Sequence, residues 1–122
     1  MYRYDKDFRK MRNKIEGAGG EMMAASFLED KKYKILEMNY SNVVGEIDII
    51  AQIKKLIVFV EVKRRASNQY GRPAEAVDAR KQRKIRKVAE MYLAEKHKEL
   101  ADVRFDVIEI LDDEITHLEN AF

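Results

Sequence analysis

The chain has no cysteine, no tryptophan and a single proline. Without cysteine, disulfides and thiolate-bound zinc are excluded. One proline and five glycines, with no repeat or low-complexity tract, leave no linker. The 122 residues are therefore expected to form one domain, 1–122. No apolar run approaches the roughly eighteen residues of a membrane helix. The start, MYRYDKDFRKMRNK, lacks the apolar core of a secretory signal. His97 and His117 stand in no ligand spacing, and there is no phosphate-binding glycine loop, dinucleotide fingerprint or Ser/His/Asp order. These absences exclude several enzyme classes and make a cytoplasmic location, away from membranes, the expectation.

What is present is apolar and charged in nearly equal measure: 46% hydrophobic and 38% charged residues, with a net charge of +2. That balance describes a globular chain. Residues 3–16 read as a basic helix, and GAGG (17–20) as a kink or helix start. In the segment that follows, Ala18, Glu21, Met22, Ala25 and Leu28 fall on one helical face. Residues 33–40, 44–53 and 56–65 read as strands, the last two rich in Ile and Val. Pro73 suits the first turn of a helix that could run to about Leu100, with Val77, Ile85, Val88, Ala89 and Tyr92 as its apolar stripe. Residues 103–111 alternate as a fourth strand, and the last residues offer a short edge strand. The order is α-β-β-β-α-β: an α/β fold with a mixed sheet whose central hairpin is apolar on both faces and so covered by helices on both sides.

The hairpin GEIDIIAQIKKLIVFVEVKRR (45–65) carries acids where burial would favour aliphatics. A turn centred between Lys54 and Lys55 pairs Ile53 with Leu56, and hence Asp48 with Glu61 and Glu46 with Lys63. Lys-Lys is poor chemistry for a two-residue turn, which favours a four-residue loop in the same register. Opposed carboxylates about 5 Å apart at the β-carbons repel unless a shared proton, Lys63 or a divalent cation relieves them. Oxygen donors without cysteine or histidine favour Mg²⁺ or Mn²⁺. Lys63 lies on the face of Glu61, since strand side chains repeat every second residue. Two acids, a skipped residue and a lysine make a workable set for hydrolysing a phosphodiester. A plain cross-strand ion pair between Glu46 and Lys63 would give the same pattern without function.

Glu21 is a carboxylate on an apolar stripe. It is either a first-turn acid favoured by the helix dipole or a further ligand leaning over the hairpin. The run RKQRKIRK (80–87) holds six cations in eight residues, with few oppositely charged i,i+4 partners. With Arg64 and Arg65 it borders the acids with positive charge, as a phosphate polymer requires. Gln82 sits at the edge of the helix's apolar stripe.

GGEMMAASFL, GEIDIIA, FVEVKRR, GRPAEAVDARKQRKI, A-x-x-YL and RFDVIEI occur in that order. Together they resemble the YraN family of small bacterial proteins, which is similar to archaeal Holliday-junction resolvases and belongs to the PD-(D/E)XK nuclease superfamily. The resemblance spans nearly the whole chain. It implies a restriction-endonuclease-like core and a Mg²⁺- or Mn²⁺-dependent DNA endonuclease acting on branched or recombining DNA. In that reading Asp48 and Glu61 hold the metal with help from the Val62 carbonyl, Lys63 is the catalytic lysine and Glu21 is the helix acid. Arg64, Arg65, Lys81, Lys84 and Lys87 would contact the DNA backbone, with Glu46 and Gln82 as accessory residues. A homodimer follows by analogy with resolvases. Ser41 departs from the family pattern, in which an arginine often follows the Asn-Tyr pair. The rival expectation is a DNA-binding or scaffold protein that keeps the fold without cutting.

Overall fold

The computed structural model describes residues 19–65 and 77–122. Its elements are helix α1 (Gly19–Asp30), strands β1 (Lys34–Ser41), β2 (Glu46–Ile53) and β3 (Leu56–Arg65), helix α2 (Ala79–Glu95), and strands β4 (Asp102–Leu111) and β5 (Glu114–Leu118). The expected helix over 3–16, Ala18 of the first stripe and the placing of Pro73 lie outside the described residues. Among those described, no helix is long and apolar enough to cross a membrane.

The sheet runs β1-β2-β3-β4-β5, antiparallel except for the β3–β4 pair. A parallel pair needs a crossover, and α2 supplies it. The order and the mixed sheet are those expected from the sequence. Alternation sorts the strands onto two faces. On one, Ile50, Ile57, Phe59, Phe105 and Val107 meet Ile85, Val88, Ala89, Tyr92 and Leu93 of α2. On the other, Ile49, Ala51, Val58, Val60, Ile108 and Ile110 meet Ala24, Ala25 and Leu28 of α1. Phe59 lies between Phe105, stacked at 5.3 Å, and Tyr92, edge-on at 6.1 Å. Burying a side chain of this size contributes about 2–3 kcal/mol.

Two local details differ from the sequence reading. The β2–β3 connection is a two-residue turn, with Lys54 in the left-handed region at φ 54°. The four-residue loop favoured on turn chemistry is not formed, because the ladder closes fully to Ile53–Leu56. Helix α2 stops at Glu95, short of Leu100. The His97 and Lys98 N–H groups bond the carbonyls of Ala94 and Leu93, and His97 takes φ 57°. That is a Schellman stop made without glycine. At its other end, the Asp78 carboxylate caps α2 by accepting from the Lys81 N–H at 2.9 Å.

Candidate functional site

The β2–β3 ladder pairs Ile53 with Leu56 through to Ile49 with Val60, and stops there. The Ile53–Leu56 pair is the one expected from the sequence; the same register continued past the end of the ladder would set Asp48 against Glu61. Beyond Ile49 the strands part, and the Asp48 side chain enters the gap, where Oδ2 accepts from the Val62 N–H at 2.8 Å. A carboxylate thus takes the place of a ladder carbonyl, anchored to the strand that carries Glu61. Opposite the break, Asn39 of β1 adopts φ 53°, which asparagine tolerates better than most residues. From Met38 to Tyr40, and from Ile49 to Ile47, the side chains change from the α1 core to the α2 core.

The opening is a cleft of about 410 Å³ lined by Glu21, Gly45, Glu46, Asp48, Glu61, Val62, Lys63, Lys81, Lys84 and Ile85. Glu61 is 6% exposed. Its Oε2 is paired with the Lys81 ammonium and lies 3.7 Å from Lys63 Nζ. Asp48 and Glu61 are close enough for their carboxyls to act on each other. Burial, then repulsion from Glu61, pushes the Asp48 carboxyl up to about 7, against the Val62 N–H, which favours the anion. Burial and the neighbouring Lys81 draw the Lys63 ammonium below the usual lysine range. Lys81 is held above that range: burial works against its charge, but the Glu61 carboxylate paired with it prevails.

Glu21 reaches the cleft from the first turn of α1. Burial raises its carboxyl, helped by Glu46 and Glu61 and opposed by a hydrogen bond from Asn39. Among the described residues, no three Asp, Glu or His side chains gather at metal-binding spacing, so Glu21 stands apart from the Asp48–Glu61 pair. Two adjoining carboxylates still form an all-oxygen donor pair. It suits a hard cation that keeps several waters, which is the habit of Mg²⁺.

Helical spacing divides the basic run. Lys81 and Lys84 line the cleft, and Lys81 stands one and two turns before Ile85 and Val88 on the buried stripe. Arg86 leaves this face; its guanidinium sits 4.7 Å over the Phe105 ring. Lys87 is exposed. Gln82 is a structural residue, its Nε2 donating to the Val77 carbonyl at 2.8 Å. Arg64 lies on the opposite face of β3 from Lys63, with its stem beside Gly20 and its Nη1 beside Gly19 of α1. Arg65 Nε sits 3.0 Å from Glu109 Oε2. Glu46 lines the cleft but does not meet Lys63, whose acid partner is Glu61 on its own strand.

Sequence reasoning missed two residues here. The sequence offers Lys81 only as a contact to the DNA backbone, although its spacing to Ile85 and Val88 places it above the core. Asn39, an asparagine inside a strand, is the signal of an irregular backbone.

The model of the uncharacterised protein family UPF0102 matches residues 20–110, which include α1, the hairpin, α2 and nearly all of β4. The chain belongs to that family. It is 46% identical over 121 residues to a UPF0102 protein of Caldanaerobacter subterraneus subsp. tengcongensis, covering 93% of this chain and 99% of the relative. A UPF0102 protein of Alkaliphilus oremlandii is 47% identical over 116 residues, covering 90% and 99%. One of Thermodesulfovibrio yellowstonii is 49% identical over 106 residues, covering 87% and 94%. The UPF0102 match agrees with the YraN-like resemblance of the sequence, and these relatives are bacterial.

Proposed function

We propose that this UPF0102 protein is a metal-dependent DNA endonuclease that hydrolyses phosphodiester bonds, with branched or recombining DNA as the substrate class. The observation that carries the reading is the break in the β2–β3 ladder. It costs backbone hydrogen bonds and brings two carboxylates together in a cleft edged by lysines. A structural sheet gains nothing from such a break.

Asp48 and Glu61 would hold Mg²⁺ or Mn²⁺, with the Val62 carbonyl beside them. The ion supplies polarisation of the phosphate and a lowered pKa for a nearby water. Asp48 is kept in position by the Val62 N–H whatever its protonation. Lys63 Nζ, beside Glu61 and drawn below the ordinary lysine range, can give up or take a proton during attack on phosphorus. Glu21, across the cleft with a raised carboxyl, orients water from the far wall. Lys84, Lys87 and Arg64 would contact backbone phosphates, which set affinity rather than sequence preference. Arg65, already paired with Glu109, steadies the end of β3.

The test is a cleavage panel of supercoiled, linear, single-stranded and four-way-junction DNA with Mg²⁺, Mn²⁺ or EDTA, comparing wild type with Asp48→Ala. Metal-dependent cutting that is lost in the variant is the expected result. No cutting by either protein, with equal and metal-independent DNA binding by both, would overturn it in favour of a DNA-binding scaffold.

A further inference from the structure

Two ammonium groups converge on one buried oxygen. Glu61 Oε2 is paired with Lys81 and lies 3.7 Å from Lys63 Nζ. The two lysines differ in where they come from. Lys63 stands two residues from Glu61 on the same strand, so the pleat fixes the spacing of their β-carbons. Lys81 comes from the first turn of α2 on a flexible four-carbon stem, while its own N–H is pinned to Asp78. Its side chain is 41% exposed, so water is open to it should it leave. A cation in a first helical turn also opposes the helix dipole, and the Asp78 cap is the acid that stands against it at this end of α2. The carboxylate across the cleft is the partner of the Lys81 ammonium itself.

We propose that Lys81 is a displaceable counter-ion: it neutralises Glu61 while no divalent cation is bound, gives that carboxylate up when one binds, and joins Lys84 on the cleft wall. The proposal rests on the metal-binding reading of Asp48 and Glu61. A buried carboxylate left unpaired is costly, so the metal-free fold needs a cation at this point. A dication on the same oxygen cannot share it with an ammonium at contact distance, because like charges that close repel. Metal affinity is therefore reduced by the strength of the Lys81–Glu61 pair, and the lysine acts as a competitor built into the chain. Lys63 lies farther from that oxygen, at 3.7 Å, and is the weaker of the two counter-ions.

The experiment is calorimetric titration of the full chain with Mn²⁺ alone, without nucleic acid. Lys81→Met keeps the stem and removes the charge, and is expected to bind Mn²⁺ about five- to tenfold more tightly than wild type. Lys84→Met, which removes a cleft cation that does not touch Glu61, should change affinity less than about twofold. Asp48→Asn should abolish binding. If Lys81→Met equals wild type while Asp48→Asn abolishes binding, the counter-ion proposal falls and the metal site stands. Equal gains from Lys81→Met and Lys84→Met would also overturn it, since a general field would then suffice. Binding by none of the four proteins overturns both readings. Amine labelling read by mass spectrometry gives a second measure. Lys81 should label faster with Mg²⁺ than with EDTA while Lys84 is unchanged, and equal labelling of Lys81 would count against its release.

Discussion

Asp48 carries the largest electrostatic consequence of any single residue at the site. Its carboxyl is raised to about 7, first by burial and then by Glu61, so the fold favours its protonated form. The contribution to metal-free stability is therefore whole below about pH 4 and is lost as pH rises through about 7. With EDTA present, wild type should lose stability across that window. Asp48→Asn should flatten the profile and be the more stable protein at pH 8 by about 1–2 kcal/mol. Thermal melts from pH 4 to 9 check this. A variant that melts below wild type at pH 8 would contradict it.

Asp106 is the opposite case. It is fully buried on the α1 side of β4, where it accepts from Arg104 Nε at 2.8 Å and Arg104 Nη2 at 2.7 Å. It also accepts from the Asn120 N–H at 3.0 Å and faces His117 Nε2 at 2.7 Å. The other His117 nitrogen, Nδ1, lies 2.9 Å from Lys31 Nζ, which can only donate, so Nε2 is the ring nitrogen that donates to Asp106. Burial alone would raise Asp106, but the bonds from His117, Arg104 and Asn120 bring it below the usual carboxylate value. That stability is present above about pH 4 and is lost as pH falls further. Asp106→Ala leaves Arg104 without its main partner and should cost about 3 kcal/mol in urea unfolding at pH 7. This cluster ties β4 to β5 and, through Lys31, to the segment just after α1, whereas the same kinds of side chain in the cleft are left imperfectly neutralised.

At the level of elements, the ends of α2 separate what is general from what is particular to this chain. Its N-terminus is set by Asp78, a common capping residue in view in the sequence. Its C-terminus turns on His97 at φ 57°, a strained choice where glycine is the usual residue. His97→Gly should stabilise the protein by about 0.5–1 kcal/mol, read as a rise in the urea midpoint at unchanged slope. The absence of glycine there is also why the helix seemed to continue to Leu100. The hairpin turn has a similar cause: Lys54 accepts a left-handed backbone because the ladder around it already pairs Gln52 with Ile57 and Ile53 with Leu56. Neighbouring strands overruled local turn preference.

For the molecule as a whole, the cations near the cleft set the salt dependence of binding to a polyanion. Each backbone phosphate contact steepens the fall of log K with log salt by roughly 0.9 for duplex DNA. Lys84→Ala and Lys87→Ala should each weaken binding about equally across sequences and lower that slope by about 1, as measured by fluorescence anisotropy between about 50 and 200 mM salt. Arg86→Ala should leave the slope unchanged, since its guanidinium lies over Phe105 and 5.8 Å from the Phe122 ring centroid.

The element order, the mixed sheet, the two apolar helix stripes and the register of the β2–β3 hairpin followed from the sequence itself. Periodicity and composition are properties of neighbours along the chain, and alternation along one hairpin fixes which residues face each other. Which lysine meets Glu61, where the ladder opens, how Asn39 reaches Glu21 and which cations are already spent on Glu109 or on aromatic rings were decided only in three dimensions. Each depends on elements far apart in sequence coming to the same few ångströms, and one cation looks like another until its neighbours are known.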